Sequence, residues 1–143
     1  MGSLVIRHSK SAYPLDALTG EGVRIAQSSR ERFSDRRMAV CSTAFRTQQT
    51  AQALGFGEVV VDSRLDEFVA DDINMSTSHK YVLEVHKKYW NALEDYGRQL
   101  LEAMREFGVE EALLVSHNAV MSAAFRIAMG NVRSFGNLDG FEL

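Results

Sequence analysis

The sequence of 143 residues has a single cysteine, a single proline and no long apolar run. A lone cysteine, Cys41, excludes an internal disulfide and is typical of a reducing compartment, so we expect a cytoplasmic protein. Neither a secretory leader nor an apolar stretch long enough to cross a bilayer is visible, and we predict no membrane association. Without a secretory signal, we interpret the match of Asn74-Met75-Ser76 to a glycosylation acceptor as accidental.

An excess of positive charge is also missing, because the formal net charge is -3. General affinity for nucleic acid requires a clustered basic surface, and the charge balance excludes that class of function. Any basic site must therefore be local. The length and the 45% share of hydrophobic residues suffice for one buried core, which predicts a single domain over residues 1–143.

Short apolar runs alternate with amphipathic stretches along the whole chain. The runs predict strands that end near Ile6, Cys41, Val61, Val115 and Leu143. The amphipathic stretches predict helices over residues 19–33, 44–54, 78–107 and 118–130. Thr19 is suited to begin the first helix and Gly130 to end the last. Alternation of this kind is typical of a three-layer α/β/α sandwich whose central sheet is mostly parallel.

The helix predicted over residues 78–107 is long for a domain of this size. Its apolar positions step by three and four, and Gly97 is the expected site of a bend. The spacing also resembles a heptad repeat, which leaves a dimer open, but a helix face packed on the sheet gives the same pattern and is favoured. His79 and His86 have no neighbouring metal ligands on this helix, and we expect both to face solvent.

Three of the predicted strands end on polar side chains that suit a phosphate. Arg7 and His8 follow the first strand, residues 42–46 follow the second, and His117 follows the fourth. The carboxyl ends of neighbouring parallel strands meet at one edge of the sheet, where such folds place their chemistry. Arginine presents forked donors that match phosphate oxygens, and the starts of the following helices add backbone N–H groups. The hydroxyls of Ser42-Thr43 also predict a cap for the second helix.

Three sequence blocks occur in order at these strand ends. They are Ile6-Arg7-His8-Ser9, then Ser42-Thr43-Ala44-Phe45-Arg46-Thr47-Gln48-Gln49-Thr50-Ala51, and finally Leu114-Val115-Ser116-His117. Together they resemble the signature of the histidine phosphatase superfamily, also called the phosphoglycerate mutase-like family. Ser9 in place of a glycine, and Asn118-Ala119 in place of a glycine pair, resemble the short bacterial branch that includes the phosphohistidine phosphatases.

The resemblance implies a covalent mechanism. His8 would attack phosphorus and become a phosphohistidine, which water would later cleave. Arg7, Arg46 and His117 would bind the phosphoryl oxygens and stabilise the charge that they gather. The two arginines would also keep His8 unprotonated, as a nucleophile must be. The resemblance implies no metal and no other cofactor.

The residues next to these blocks are given supporting roles by the same resemblance. Ser9 and Asn118 are predicted to contribute to substrate binding, and Lys10 and Ser11 are expected at the rim of the site. Ser42 has a hydroxyl that could reach the phosphate, although helix capping accounts for it equally well.

The proton donor for the leaving group is expected in the acidic stretch from Asp62 to Asp72. In many relatives a glutamate shortly after the third strand has this role, and Leu65-Asp66-Glu67 resembles that segment. Glu67 is therefore the candidate and Asp66 its rival. A solvated carboxylate in an acidic loop is the plain alternative for both residues.

These residues predict a metal-independent phosphatase of the histidine phosphatase type. The expected substrate is a phosphorylated small molecule or a phosphohistidine on a partner protein. A mutase is disfavoured, because it needs a closed site that retains the intermediate. The alternative from a different class is a phosphate-binding module of the same fold that has lost turnover. We interpret Cys41 as a buried apolar residue and not as a nucleophile.

Overall fold

The structure, a computed structural model, describes residues 2–70 and 78–143, with side chains from Lys80 onward in the second range. Three predicted features lie outside this description, namely the end of the acidic stretch at Asp71 and Asp72, the acceptor-like Asn74-Met75-Ser76 and the His79 side chain. None of the helices within the described ranges has both the length and the apolar character that crossing a bilayer requires.

A five-stranded sheet forms the centre of the molecule. Its strands are β1 (Leu4–Arg7), β2 (Ala39–Cys41), β3 (Val59–Val61), β4 (Leu113–Ser116) and β5 (Gly140–Glu142). Their order is β3-β2-β4-β1-β5, and only β5 runs antiparallel, alongside β1. The mostly parallel sheet is confirmed, and β1, β4 and β2 lie side by side with their carboxyl ends at one edge.

Helices cover the sheet on both faces. They are α1 (Gly20–Ser28), α2 (Phe45–Ala53), α3 (Ser78–Gly108) and α4 (Asn118–Met129), and a 3-10 turn follows α1 at Arg30–Phe33. Thr19 caps α1 as predicted, because its hydroxyl accepts a hydrogen bond from the Gly22 N–H at 2.9 Å. Gly130 ends α4 in the left-handed region at φ 85°, where glycine is favoured.

The inner strands β1, β2 and β4 are largely apolar because both of their faces are buried. Successive residues of a strand point to opposite faces of the sheet. Val5 and Leu114 accordingly belong to the core that α3 and α4 cover, whereas Ile6 and Leu113 belong to the core under α1 and α2. The predicted three-layer α/β/α sandwich is therefore confirmed.

Helix α3 differs from its prediction in two respects. Its bend lies at Tyr89, where the backbone is not helical (φ −125°, ψ 20°), and not at Gly97. A glycine is needed at position 97 for another reason, because a Cβ there would lie 2.9 Å from the backbone and side chain of Ala123 in α4. A glycine at this crossing lets the two helices pack closely. The apolar face of α3 is buried against α4 and the sheet, as favoured over a dimer seam.

His86 does not face solvent, which corrects the sequence interpretation. It is 5% exposed and lies between α3 and α4. Its Nδ1 accepts from Arg126 Nη1 at 3.2 Å, because a guanidinium only donates, and its Nε2 therefore donates to Ser122 Oγ at 3.0 Å. The imidazole also stacks on Trp90. This buried histidine is a neutral structural group, held by partners that come from another helix.

The Gly97→Ala substitution is expected to destabilise the protein. Alanine has the higher helix propensity by about 1 kcal/mol, but forcing a methyl group into a packed interface costs about 2–3 kcal/mol where the contact is with backbone, so the net loss should be about 1–2 kcal/mol. Urea unfolding measures it. Gly57→Ala is the matched control, because no atom lies within 4 Å of a Cβ at that position. A Gly97→Ala variant as stable as Gly57→Ala would contradict the close helix crossing.

Candidate active site

The adjacent ends of β1, β2 and β4 bring four predicted side chains to one edge of the sheet. Arg46 Nε lies 3.3 Å from His8 Nε2, and Arg46 Nη2 lies 3.1 Å from His117 Nδ1. The two imidazole rings meet edge to face with their centroids 5.4 Å apart. Arg7 lines the same two cavities as His8.

The tautomer of His8 follows from its two hydrogen bonds. Nδ1 lies 2.7 Å from the Ser9 carbonyl oxygen, which can only accept, so Nδ1 carries the proton. Nε2 then has a free lone pair, which accepts from Arg46 Nε. The imidazole is neutral, and its unprotonated nitrogen is turned toward Arg46, away from the main chain.

Burial is the main reason that His8 is unprotonated. It lowers the pKa of His8 to about 4, and the positive charges of Arg7 and Arg46 act in the same direction. The hydrogen bond to the Ser9 carbonyl oxygen opposes the shift. The two arginines, predicted as the cause of the neutral state, contribute less to the lowered pKa of His8 than the loss of hydration does.

His117 is fixed by a chain of hydroxyl groups. Arg46 donates to its Nδ1, so its Nε2 donates to Ser42 Oγ at 2.8 Å. Ser42 in turn donates to Thr47 Oγ1 at 2.9 Å, and Thr47 donates to the Ala44 carbonyl oxygen at 2.8 Å. Burial is the main cause that holds the pKa of His117 well below its usual value, and the neighbouring His8 and the positive charges of Arg46 and Arg7 act in the same direction. Ser42 thus orients a neutral His117.

Arg46 is held by two carboxylates. Its Nη1 donates to Asp16 at 2.9 Å and its Nη2 donates to Glu67 at 2.5 Å. Arg46 therefore pairs with Glu67 of the acidic loop and contacts both histidines at the same time. Because Nη2 also reaches His117, an anion that displaced Glu67 would lie beside the imidazole.

Asp16 is a site residue that sequence reasoning missed. Its carboxylate accepts from the backbone N–H groups of Phe45 at 2.8 Å and Arg46 at 3.1 Å, at the start of α2. The predicted capping of this helix by Ser42-Thr43 is wrong, since the capping group comes from the loop after β1. No sequence pattern near α2 predicts this contact, because Asp16 is distant from the helix in the sequence. The N-terminus of α2 is occupied by Asp16, whereas Asn118 and Ala119 at the start of α4 line the inner cavity.

Asn118 positions Arg7 and does not offer its side chain to a substrate. Its Oδ1 accepts from the Phe135 N–H at 2.7 Å, and its Nδ2 donates to Ser134 Oγ at 3.0 Å. The Phe135 carbonyl oxygen accepts from Arg7 Nη1 at 2.9 Å. The predicted role of Asn118 in substrate binding therefore stays a prediction for its backbone, since the side chain is bound to Ser134 and Phe135. Its backbone, at the first turn of α4, lines the inner part of the site.

Ser9 also differs from its predicted substrate-binding role. It is fully buried, and its hydroxyl donates to the Gly22 carbonyl oxygen at 2.7 Å while its N–H donates to Thr50 Oγ1 at 3.0 Å. These bonds tie the segment after β1 to α1 and α2. A Cβ at Gly22 would overlap the Lys10 carbonyl oxygen, so glycine is required for this approach.

Lys10 and Ser11, both predicted at the rim of the site, lie in different surroundings. Lys10 points to solvent and pairs with Glu21 at 2.7 Å, so it is not a rim residue. Ser11 does line the outer cavity.

Of the two candidate proton donors, Glu67 lines both cavities, whereas Asp66 accepts from the N–H and hydroxyl of Thr43 at 2.8 and 2.9 Å. The geometry favours Glu67.

The site has an inner and an outer part. The inner cavity, of about 50 Å³, is lined by Arg7, His8, Glu67, Tyr81, His117, Asn118 and Ala119. The outer cavity, of about 420 Å³, shares Arg7, His8 and Glu67 with it and adds Arg46, Ser11 and the apolar residues Tyr13, Pro14, Leu15, Val69 and Ala70. A compact polar chamber therefore opens into a wider and more apolar mouth.

Cys41 has no part in this site. It is completely buried, its thiol contacts the Thr47 carbonyl oxygen at 3.5 Å, and burial raises the pKa of Cys41 to about 12. The thiol is therefore protonated at neutral pH. Over the part of the chain that the structure describes, no three His, Cys, Asp or Glu side chains come together as metal ligands would.

The fold and the site together define a class of protein, an α/β enzyme fold with imidazole and guanidinium groups at the carboxyl edge of its sheet. The family model of the histidine phosphatase superfamily (branch 1) matches residues 4–108. The chain belongs to the histidine phosphatase superfamily and is a hydrolase of that type. The match ends before His117, which the fold brings to the same edge. The finer resemblance to the short phosphohistidine phosphatase branch stays a prediction.

Solved structures share this fold at low sequence identity. One is a phosphoserine phosphatase from Entamoeba histolytica in complex with 3-phosphoglyceric acid, with a TM-score of 0.73, 17% identity, and 95% of this chain and 86% of that chain covered. Another is a mycobacterial glucosyl-3-phosphoglycerate phosphatase, with a TM-score of 0.69, 17% identity, and 96% and 86% covered. No curated protein sequence matches the chain.

Asn118→Ala is expected to destabilise the protein by about 1–3 kcal/mol, because it leaves the buried N–H of Phe135 without an acceptor. Asn118→Asp keeps an oxygen at the same place and should cost less. Urea unfolding of the two variants beside the wild type measures the difference. Equal losses of stability in both variants would show that the bond to Phe135 is not what Asn118 contributes.

Acid is expected to destabilise the fold through its buried histidines. Burial lowers the pKa of His8 and of His86 to about 4, against about 6.5 in an unfolded chain. Between these values the unfolded state binds more protons, so the free energy of unfolding falls as pH is lowered from 6.5 toward 4. The His86→Gln variant removes one such group and should show a shallower fall in urea unfolding across this range. Parallel curves for variant and wild type would refute the assignment.

Proposed function

We propose that the protein is a metal-independent phosphatase that works through a phosphohistidine on His8. The observation that carries the proposal is the orientation of His8, whose unprotonated Nε2 lies beside Arg46 while its Nδ1–H is bound to the main chain. A nucleophilic nitrogen next to a guanidinium suits attack on a phosphoryl group. The required charge is supplied by arginine side chains.

In the first step Arg46 Nε gives up its hydrogen bond to His8 Nε2, and the lone pair of Nε2 forms a bond to phosphorus. The bond from phosphorus to the leaving oxygen or nitrogen breaks in line, and the leaving group departs with the bonding electrons and takes up a proton. In the second step a water oxygen attacks the phosphorus of the phosphohistidine. The P–N bond breaks, inorganic phosphate leaves, and the lone pair returns to Nε2.

Arg7 and Arg46 stabilise the negative charge on the non-bridging oxygens during both steps. Arg46 keeps its bond to Asp16 through Nη1 and exchanges Glu67 for the substrate phosphate at Nη2. His117 lies beside the same Nη2, and its Nδ1 donates to the incoming anion once the proton has moved to that nitrogen, with the Ser42 hydroxyl then donating to Nε2. The first N–H groups of α4, at Asn118 and Ala119, complete the inner cavity.

Glu67 is the proposed proton donor. The phosphate takes over Arg46 Nη2 from Glu67, and the released Glu67 takes up a proton from solvent through the open outer cavity, which it passes to the leaving group. Released from that pair, it lies at the junction of the inner and outer cavities, where the leaving group departs. After protonating the leaving group it is a carboxylate again, ready to accept a proton from the attacking water.

The substrate is a phosphorylated small molecule or a phosphohistidine on a partner protein. The outer cavity is open, so water can reach the intermediate, and hydrolysis is favoured over the retained intermediate of a mutase. A substrate panel should include phosphoserine, 3-phosphoglycerate, an aryl phosphate and a phosphorylated histidine domain. The first two are suggested by the named structural relatives.

Trapping of the intermediate tests the mechanism. Mixing the enzyme with labelled substrate and quenching in alkali, in which phosphohistidine survives, should leave the label on His8. The His8→Ala variant should lose both the label and turnover, with a fall in kcat of several orders of magnitude, because covalent catalysis is abolished. Activity should persist with a chelator present.

A control separates catalysis from binding. His86→Gln alters a buried histidine outside both cavities and should still accept the label. Undiminished turnover in His8→Ala would overturn the proposal. Saturable binding of inorganic phosphate by the wild type, without hydrolysis of any substrate in the panel, would instead favour the alternative of a phosphate-binding module.

A further inference from the structure

Exposed apolar side chains lie at the mouth of the active site, beside its polar residues. Tyr13, Leu15 and Val69 line the outer cavity and are 73%, 67% and 58% exposed. Exposed apolar side chains scattered singly are ordinary, but a group of them around one cavity marks a binding surface. His8 and Arg7 also line this cavity. A substrate whose phosphoryl group lies beside His8 would therefore place its leaving group there.

One wall of the mouth is a rigid hairpin. Ser11 and Leu18 form a bridge, and the Ala12 N–H donates to the Ala17 carbonyl oxygen at 2.8 Å. The Leu15 N–H donates back to the Ala12 carbonyl oxygen at 2.8 Å, which closes the tip. Asp16 anchors the hairpin to α2. Tyr13 and Leu15 are thus held in place in the absence of a substrate.

The facing wall is anchored equally well. Phe68 is buried and packs edge to face on Tyr96, and its carbonyl oxygen accepts from the Tyr81 hydroxyl at 3.3 Å. Val69 follows directly and projects at the mouth. The backbone on both sides of the mouth is therefore held by hydrogen bonds, which lowers the cost of ordering the protein when a group binds there.

Charge decides which leaving groups fit the outer cavity. The cations among the described residues that line it are Arg7 and Arg46, which face the phosphate, and Arg46 is already paired with Asp16 and Glu67. A leaving group with its own carboxylate or second phosphate would lose hydration without gaining a counter-charge, and would face Glu67.

We propose that the outer cavity is a leaving-group subsite for phosphomonoesters with an uncharged, apolar, preferably aromatic leaving group. Tyr13, Leu15 and Val69 are its specificity-determining residues. The subsite rests on the proposed phosphatase function, since it supposes that the phosphoryl group lies beside His8. It distinguishes this chain from a phosphatase built for carboxylate-bearing esters.

Three alkyl phosphates test the subsite, namely 2-phenylethyl phosphate, propyl phosphate and 3-phosphoglycerate. All three release an aliphatic alcohol, so the chemistry at phosphorus is similar and kcat/KM compares binding of the leaving group. We expect 2-phenylethyl phosphate to be preferred over propyl phosphate by about 10- to 100-fold, as for apolar groups added in a fitting pocket. 3-Phosphoglycerate should be the poorest of the three.

Variants locate the preference. Leu15→Lys and Val69→Lys each place a cation at the mouth, and each should lower the kcat/KM ratio of 2-phenylethyl phosphate to 3-phosphoglycerate at least about tenfold. Val109→Lys is the matched control, because Val109 is 83% exposed and precedes β4 at the opposite edge of the sheet. It adds the same charge and should leave the ratio unchanged. Thermal unfolding checks that the exposed substitutions preserve the fold.

The outcomes separate the two proposals. A wild type that hydrolyses all three esters but prefers 3-phosphoglycerate, or a preference that neither mouth variant alters, would overturn the subsite and leave the phosphatase function intact. Failure to hydrolyse any of the esters, with no label on His8, would overturn the phosphatase function and the subsite together.

Discussion

The guanidinium of Arg46 is the charge on which the whole site depends. It donates to His8, His117, Asp16 and Glu67. A buried cation is costly unless it is paired, and two carboxylates balance this one. Because arginine only donates, it requires a lone pair from each imidazole. Arg46 thus fixes which nitrogen of His117 accepts, and it agrees with the tautomer of His8 that the Ser9 carbonyl oxygen sets.

Each site histidine has one nitrogen bound to the protein and one turned to Arg46. The Ser9 carbonyl oxygen holds Nδ1 of His8, and the Ser42 hydroxyl holds Nε2 of His117. The opposite nitrogens are therefore presented, one as a nucleophile and the other beside the phosphate position. Both histidines reach the same guanidinium because β1 and β4 are neighbouring parallel strands whose carboxyl ends lie side by side.

Supporting residues connect recognition with chemistry. The hairpin that bears Tyr13 and Leu15 is fastened through Asp16 to the start of α2 and to Arg46 itself. On the other side, Asn118 fixes Phe135, whose carbonyl oxygen holds Arg7. The walls that would contact a leaving group and the cations that would hold its phosphate therefore form one rigid unit, which favours catalysis because little reorganisation is needed.

Local patterns in the sequence determined the fold class and the positions of Arg7, His8, Arg46 and His117, because apolar periodicity and the strand-end rule depend only on near neighbours in the chain. The supporting roles are different, since each depends on a partner distant in the sequence. The tertiary structure alone decided that Asp16 caps α2, that Ser9 and Asn118 serve the main chain, and that His86 is buried. A polar side chain is free to bind substrate only when folding has not already supplied its hydrogen-bond partner, and the fold alone determines which partners those are.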